Sequence, residues 1–225
     1  MGRVSNKKQK WYILSRGSAM TSFAKDKREI EVKFLIKDMK GLERRLLEAN
    51  ARYSQARTHE LNLRFDTPDG KLSQDQCVLR LRKDNRVRIT YKGPMSEEGG
   101  IADREEIEFE ASNYEAAKHL LESLGYEVMV IYEKYRTIYD IDKTIITLDE
   151  MPFGNFVEIE GPDVESIKEA AELIGLDWEQ RSAETYLGYF LQIKEKAGLD
   201  FHDLTFENFE KADVDVGVLE LEAAD

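Results

Sequence analysis

A chain of 225 residues with 41% apolar residues is long enough for one domain with a sizeable core. The formal net charge of −12 argues against a nucleic acid as the main partner, and the single cysteine excludes both an internal disulfide and a cysteine-rich zinc site. No apolar run is long enough for a signal sequence or a membrane span, so the sequence predicts a cytoplasmic protein with no membrane partner.

Charge divides the chain into three parts. Residues 1–26 carry six Lys or Arg and one acid, and we expect them to form a flexible basic extension. Residues 197–225 carry one Lys and nine acids, and we expect an acidic tail that is disordered or loosely docked. The predicted domain spans residues 27–196. The opposite charges of the two ends permit self-association, so a homodimer is possible. Met20 lies just before the predicted domain, which leaves open whether translation starts there or at Met1.

Hydrophobic periodicity predicts the elements of this domain in chain order. A strand at 28–37 precedes a helix at 40–50, and strands follow at 57–66, 77–83, 86–92 and 101–110. A helix capped by Ser112 or Asn113 runs to 124, and strands then follow at 127–140, 143–149 and 155–160. Two helices, at 163–174 and 183–196, complete the pattern. Eight strands in hairpins and four helices predict an α+β fold whose large antiparallel sheet closes, or nearly closes, on itself.

Charged residues recur at alternate positions of these strands. In the first strand, Glu29, Glu31 and Lys33 share one face, because alternate side chains of a strand point the same way. One such strand is ordinary for a solvated sheet face. Like charges two residues apart repel each other, however, and the recurrence in most strands favours a face that lines an interior. The strands that repeat the pattern carry Arg80 and Arg82; Arg86, Arg88 and Lys92; Glu106, Glu108 and Glu110; Lys134 and Arg136; Asp149; and Glu158 and Glu160.

These motifs, in this order, resemble the CYTH family, also called triphosphate tunnel metalloenzymes. Glu29-x-Glu31-x-Lys33 matches the family signature, and the matches continue to Glu158-x-Glu160. The family includes class IV adenylate cyclases, thiamine triphosphatases and inorganic triphosphatases. The resemblance implies an eight-stranded antiparallel β tunnel with helices outside and an active site in its lumen.

The resemblance also implies roles for thirteen residues. A triphosphate such as ATP, tripolyphosphate or thiamine triphosphate would be bound by Lys33, Arg80, Arg82, Arg88, Lys92, Lys134 and Arg136. Mg²⁺ or Mn²⁺ would be held by Glu29, Glu31, Glu106, Asp149, Glu158 and Glu160. The implied catalytic residues are Glu29, Glu31, Lys33, Lys92 and Lys134. Carboxylates suit such hard cations, and Arg suits phosphate oxygens.

The reaction itself stays open at this stage. The stretch from Arg64 to Asp69 and the Tyr91-Lys92-Gly93-Pro94 sequence look most similar to class IV cyclases, which convert ATP to cyclic AMP and pyrophosphate. A triphosphatase is the alternative, and a non-catalytic module that binds polyphosphate or a nucleotide is a third reading. No adenine site is identifiable. The cluster of Tyr186, Tyr189 and Phe190 is expected to pack against the sheet.

Overall fold

The computed structural model describes residues 28–225, so the predicted basic extension lies outside the described part of the chain. The nine strands of this part are β1 Arg28–Ile36, β2 Arg52–Asp66, β3 Val78–Lys83, β4 Val87–Lys92, β5 Ser96–Glu98, β6 Ile101–Glu110, β7 Glu127–Ile141, β8 Thr144–Met151 and β9 Gly154–Gly161. The helices are α1 Met39–Glu48, α2 Lys71–Gln74, α3 Tyr114–Ser123, α4 Val164–Leu173, α5 Tyr186–Ala197 and α6 Phe206–Ala212, with 3₁₀ turns at Trp178–Gln180 and Val216–Leu219.

Eight of the strands form a closed antiparallel ring. Their order is β1-β9-β8-β7-β2-β3-β4-β6, and β6 pairs again with β1, where Arg28 lies opposite Glu105. The short strand β5 pairs only with β6, in a region that the sequence predicts as a loop. The predicted fold class, α+β with an antiparallel sheet closed on itself and helices outside, is confirmed.

The hydrophobic core lies on the outer face of the ring. Val32 and Phe34 alternate with the charged residues of β1 and are almost completely buried. They pack in one cluster with Leu42 of α1 and Ile167 of α4. Because the apolar face of β1 points outwards to the helices, its charged face points into the ring.

Polar side chains fix where the outer helices begin. Asn113, one of the two predicted caps, accepts a hydrogen bond from the backbone N–H of Ala116. Asp163 caps α4 in the same way. Thr185 caps α5 and starts it at Tyr186, three residues later than predicted.

The N-terminal half of β2 also departs from prediction, since this strand begins at Arg52 and not at 57 and contains irregular register shifts.

The acidic segment after residue 197 is ordered, so the expectation of a disordered or loosely docked tail is wrong. Leu204 and Phe209 are buried in a cluster with Phe190 of α5. The backbone N–H of Leu204 donates to the carbonyl of Ile131 on β7 at 2.9 Å. The average composition of the segment hides these regularly placed apolar residues, whose burial outweighs its charge.

Candidate active site

Both like and opposite charges face each other across the strands of the inner face. Glu31 lies opposite Glu160, whereas Lys33 lies opposite Glu158, across the β1–β9 pair. Lys33 Nζ is 3.0 Å from Glu158 Oε1. Cross-strand ion pairs therefore offset part of the repulsion between like charges on this face.

This face encloses a cavity of about 310 Å³. Twelve of the thirteen predicted site residues line it, and Asp149 is the exception. Its cationic wall is formed by Lys33, Arg64, Arg80, Arg82, Arg88, Lys92, Arg104, Lys134 and Arg136, and its carboxylates are Glu29, Glu31, Glu106, Glu108, Glu158 and Glu160. Three further carboxylates lie directly behind the lining, where Glu60, Asp84 and Asp149 pair with Arg82, Arg88 and Arg136. The cationic groups thus face the cavity and their counter-charges lie behind them, which suits an anionic ligand.

Three guanidinium groups of this wall are only partly satisfied by the protein. The Nε atoms of Arg80, Arg88 and Arg104 are buried and make no hydrogen bond among the described residues, although Arg104 Nε lies 3.9 Å from Glu29 Oε2. Arg binds phosphate oxygens well because its donors form a planar fork.

A buried carboxylate on β2, that of Glu60, forms ion pairs with two basic residues of the cavity wall. Glu60 is almost completely buried, 3.2 Å from Arg82 Nη1 and 3.7 Å from Lys134 Nζ. Burial raises the pKa of Glu60, but Arg82 and Lys134 outweigh that effect and hold it at about 2. Asn62, on the same face of β2, accepts a hydrogen bond from Arg82 Nε at 2.9 Å. Glu60 and Asn62 thereby fix the direction of Arg82.

Asp149 is completely buried and does not line the cavity, although it contacts residues that do. Its Oδ1 accepts from Arg136 Nε at 2.6 Å, and its Oδ2 accepts from Lys134 Nζ at 2.9 Å and from the hydroxyl of Tyr186 at 2.8 Å. Because both oxygens are already bonded, the geometry does not favour the metal-ligand role predicted for Asp149. It favours a role in holding Lys134 and Arg136 in place.

Glu29 and Glu106 meet on adjacent strands near the nitrogen of Lys92. Lys92 forms ion pairs with both, and its Nζ is 3.1 Å from Glu106 Oε2. Burial raises the pKa of Glu29, Lys92 opposes this rise, and the neighbouring Glu106 carboxylate adds to it. Two neighbouring carboxylates can supply part of the oxygen ligands of a hard divalent cation.

Within the described residues, the carboxylates that could bind a metal come together in pairs and not in larger groups. Within residues 28–225, no group of three His, Cys, Asp or Glu side chains forms a ready-made metal cage. Mg²⁺ is commonly bound by one or two carboxylates together with substrate phosphates. The donor set thus fits a cation that arrives with a phosphorylated ligand.

Sequence reasoning missed several residues of the site. Glu60, Asn62 and Arg64 alternate along a strand that was predicted, so the same every-other pattern could have found them. Tyr186 was expected only to pack, and it does lie in the aromatic cluster of α5, but its ring also lines the cavity. No local signal marks this role, because it depends on how α5 docks. Glu108 lines the cavity, while Glu110 pairs with Arg86 outside it.

Comparison with known families adds an independent observation. The CYTH domain profile matches residues 27–184. The chain belongs to the CYTH domain family. The family match ends just before α5, so Tyr186 and the packed acidic segment lie beyond the matched part of this CYTH protein. A search of curated proteins found no match.

Three solved structures with a similar fold are each matched over almost their whole length. A protein from Pyrococcus horikoshii OT3 is 26% identical, with a TM-score of 0.61, over 71% of this chain and 97% of that one. A candidate adenylate cyclase from Vibrio parahaemolyticus is 23% identical, with a TM-score of 0.65, over 72% and 97%. A candidate adenylyl cyclase from Hippeastrum that shows a dominant triphosphatase activity is 19% identical, with a TM-score of 0.56, over 73% and 95%. The last two likenesses concern the fold of the CYTH domain alone.

No helix in residues 28–225 combines the length and the hydropathy needed to cross a membrane.

Proposed function

We propose that this CYTH protein is a divalent-metal-dependent enzyme that acts on a triphosphate, with the reaction of a class IV adenylate cyclase. The observation that carries the proposal is the convergence of nine Lys and Arg side chains on one cavity, beside six carboxylates. Cationic donors gathered in this number suit a ligand with several anionic oxygens. A triphosphate chain has such oxygens along its whole length.

The cationic residues of the cavity would bind the phosphate chain. Lys33, Arg80, Arg82, Arg88, Lys92, Lys134 and Arg136 fill this role in the proposal. Arg136 and Lys134 are held by Asp149, and Arg82 is held by Glu60, so these groups are oriented before substrate arrives. Such preorganisation stabilises the charge that develops in phosphoryl transfer without reorganisation during the reaction.

Glu29, Glu31, Glu106 and Glu160 would hold Mg²⁺ or Mn²⁺. Glu158 would join them by exchanging its ion pair with Lys33 or Arg136, the partners of its two oxygens. The metal, when bound with substrate, would neutralise phosphate charge and lower the pKa of a coordinated hydroxyl or water. We assign Asp149 to positioning, because it does not line the cavity and its oxygens are bonded to Lys134, Arg136 and Tyr186.

In the cyclase reaction the ribose 3′-hydroxyl attacks the α-phosphate and pyrophosphate leaves. Lys33 and Lys92 lie against Glu158 and Glu29, so they would contact phosphate oxygens next to the metal-binding carboxylates. Lys134 lies deeper, beside Glu60 and Asp149, where it would contact the end of the phosphate chain that leaves. Positioning and charge neutralisation supply most of the catalysis in this scheme.

A triphosphatase is the second candidate, and the size of the cavity favours it. A volume of about 310 Å³ is at the small end of ligand pockets and suits a compact substrate such as tripolyphosphate. Water would then replace the ribose hydroxyl as nucleophile, with the same residues around the phosphates. A binding module without turnover is a weaker proposal, because a pure anion binder gains nothing from six carboxylates in its cavity.

Product analysis separates these candidates. The protein is incubated with ATP, tripolyphosphate or thiamine triphosphate in the presence of Mg²⁺ or Mn²⁺. Cyclic AMP with pyrophosphate identifies the cyclase, and orthophosphate from tripolyphosphate without a cyclic product identifies the triphosphatase. Tight binding of these compounds without turnover contradicts the enzymatic proposal.

A single substitution tests the metal-binding carboxylates. Glu31→Gln removes the charge of a cavity-lining carboxylate opposite Glu160 while keeping its shape. We expect loss of metal-dependent turnover with an unchanged melting temperature. Glu110→Gln, outside the cavity on β6, is the matched control and should keep full activity. Activity that survives in Glu31→Gln would show that the carboxylates are wrongly assigned.

A further inference from the structure

Two isoleucines interrupt the charges on the inner face of the ring. Ile138 on β7 and Ile145 on β8 both line the cavity, although most inward positions around them are charged. Ile145 lies opposite Glu160, and Ile138 lies opposite Thr147. Ile145 is 40% exposed. The cavity therefore has an apolar surface directly beside its carboxylates.

We propose that Ile138 and Ile145 form the subsite for the organic group of an organic triphosphate. The inference rests on the proposed function and deepens it, because it selects a triphosphate ester with a ring system over inorganic tripolyphosphate. Tripolyphosphate has no apolar surface to cover these side chains. A flat ring would remove them from water, which is favourable in proportion to the apolar area buried.

The position of the isoleucines matches the chemistry of such a substrate. Lys134, Arg136 and Ile138 are successive inward positions on β7, about 7 Å apart. Along β7 the cationic positions end at Arg136, and the apolar surface begins at the next inward position. An organic group linked to the α-phosphate lies just beyond the last phosphate, where the isoleucines lie.

The isoleucines form a surface that is set before a ligand binds. Both are β-branched, so their rotamers are restricted. The aromatic ring of Tyr186, by contrast, is occupied by the protein, since its centroid lies 4.7 Å from Lys33 Nζ and its hydroxyl is bonded to Asp149. A preformed apolar surface is what a ring would select.

The test uses the full chain and the double variant Ile138→Thr/Ile145→Thr. Threonine keeps the β-branching and the strand propensity while it removes apolar surface. We expect kcat/KM for ATP or thiamine triphosphate to fall about tenfold relative to kcat/KM for tripolyphosphate. Ile107→Thr, on the outer face of β6, is the matched control and should change neither value, and melting temperatures check that each variant folds.

Several outcomes overturn the inference. Equal losses of kcat/KM on organic and inorganic substrates in the double variant would contradict it. Val78→Thr alters another apolar residue of the cavity lining, and a selective loss of kcat/KM for ATP or thiamine triphosphate in this variant would also contradict it. A wild-type protein that hydrolyses only tripolyphosphate would overturn the organic subsite and leave a triphosphate enzyme standing. If no substrate is turned over, the proposed function fails, and calorimetric binding of ATP and tripolyphosphate to wild type and double variant still decides the subsite.

Discussion

The hydroxyl of Tyr186 donates a hydrogen bond to Oδ2 of Asp149 at 2.8 Å. Tyr186 lies on the first turn of α5, and Asp149 lies on β8, so this bond joins an outer helix to the base of the cavity. The same carboxylate forms ion pairs with Lys134 and Arg136. Burial, with the nearby Asp149 charge, raises the pKa of Tyr186 well above its usual range, so the hydroxyl remains a donor at neutral pH.

Asp149→Asn should destabilise the protein strongly. The variant removes the carboxylate that Lys134 and Arg136 share and leaves them only Glu60 and Glu158 as partners. Breaking a buried ion pair costs about 3–5 kcal/mol. Urea denaturation at pH 7 measures the loss, and Glu110→Gln, which removes an exposed pair, should stay within about 1 kcal/mol of wild type. If Asp149 were instead a metal ligand, stability would change little and the Mg²⁺ requirement for turnover would rise.

Glu60 should make stability depend on pH in the acid range. Its folded pKa of about 2 lies below the ordinary value of 4.5, so its contribution is present above pH 4.5 and is lost as pH falls towards 2. The full contribution is about 3 kcal/mol. Urea denaturation should therefore show a difference between wild type and Glu60→Gln that is large at pH 7 and smaller at pH 3. A difference that is the same at both pH values would mean that Glu60 is not held ionised by Arg82 and Lys134.

Arg80→Gln should weaken substrate binding. Arg80 lines the cavity, and its Nη2 donates to the Thr90 hydroxyl at 3.1 Å and lies 3.6 Å from Glu108 Oε2. Loss of a hydrogen bond to a charged group costs about 1.5–3 kcal/mol, which corresponds to a rise in KM for the triphosphate of roughly 10- to 100-fold. Steady-state kinetics measure the change. Arg52→Gln, exposed at the start of β2, should leave KM as it is, and an equal rise in both variants would point to a general charge effect.

Phe209→Ala should show that the acidic segment belongs to the folded domain. Phe209 is buried against Phe153 and Phe190, and truncation of a buried aromatic residue costs about 3–5 kcal/mol. Thermal or urea unfolding measures the loss. Leu221→Ala, at a partly exposed position in the same segment, should cost much less. If both variants matched wild type, the segment would contribute little to stability.

The predictable part of the site is the part that depends on local alternation. The every-other pattern of Glu29, Glu31 and Lys33 places them on one face whatever the partner strands are, and twelve predicted residues do line the cavity. The contacts of Asp149 required the register of β7 against β8, which no single strand reveals. Tyr186 required the docking of α5. The average composition of the acidic segment predicts disorder, whereas the burial of Leu204 and Phe209 holds the segment against the domain.

The closure of the ring has a consequence for the order of folding. β1, the first strand, pairs with β9, the last, over seven residue pairs and with β6 over four. Glu31 and Glu160, which face each other across this seam, are separated by more than half the chain. A growing polypeptide therefore cannot assemble the carboxylate side of the cavity until β9 has been synthesised, and long-range closure of this kind is slow because its loop entropy is lost first. A chain cut before β9 would leave β1 paired with β6 alone and Glu31 without Glu160 beside it. The proposed metal binding would therefore be expected only of the complete ring.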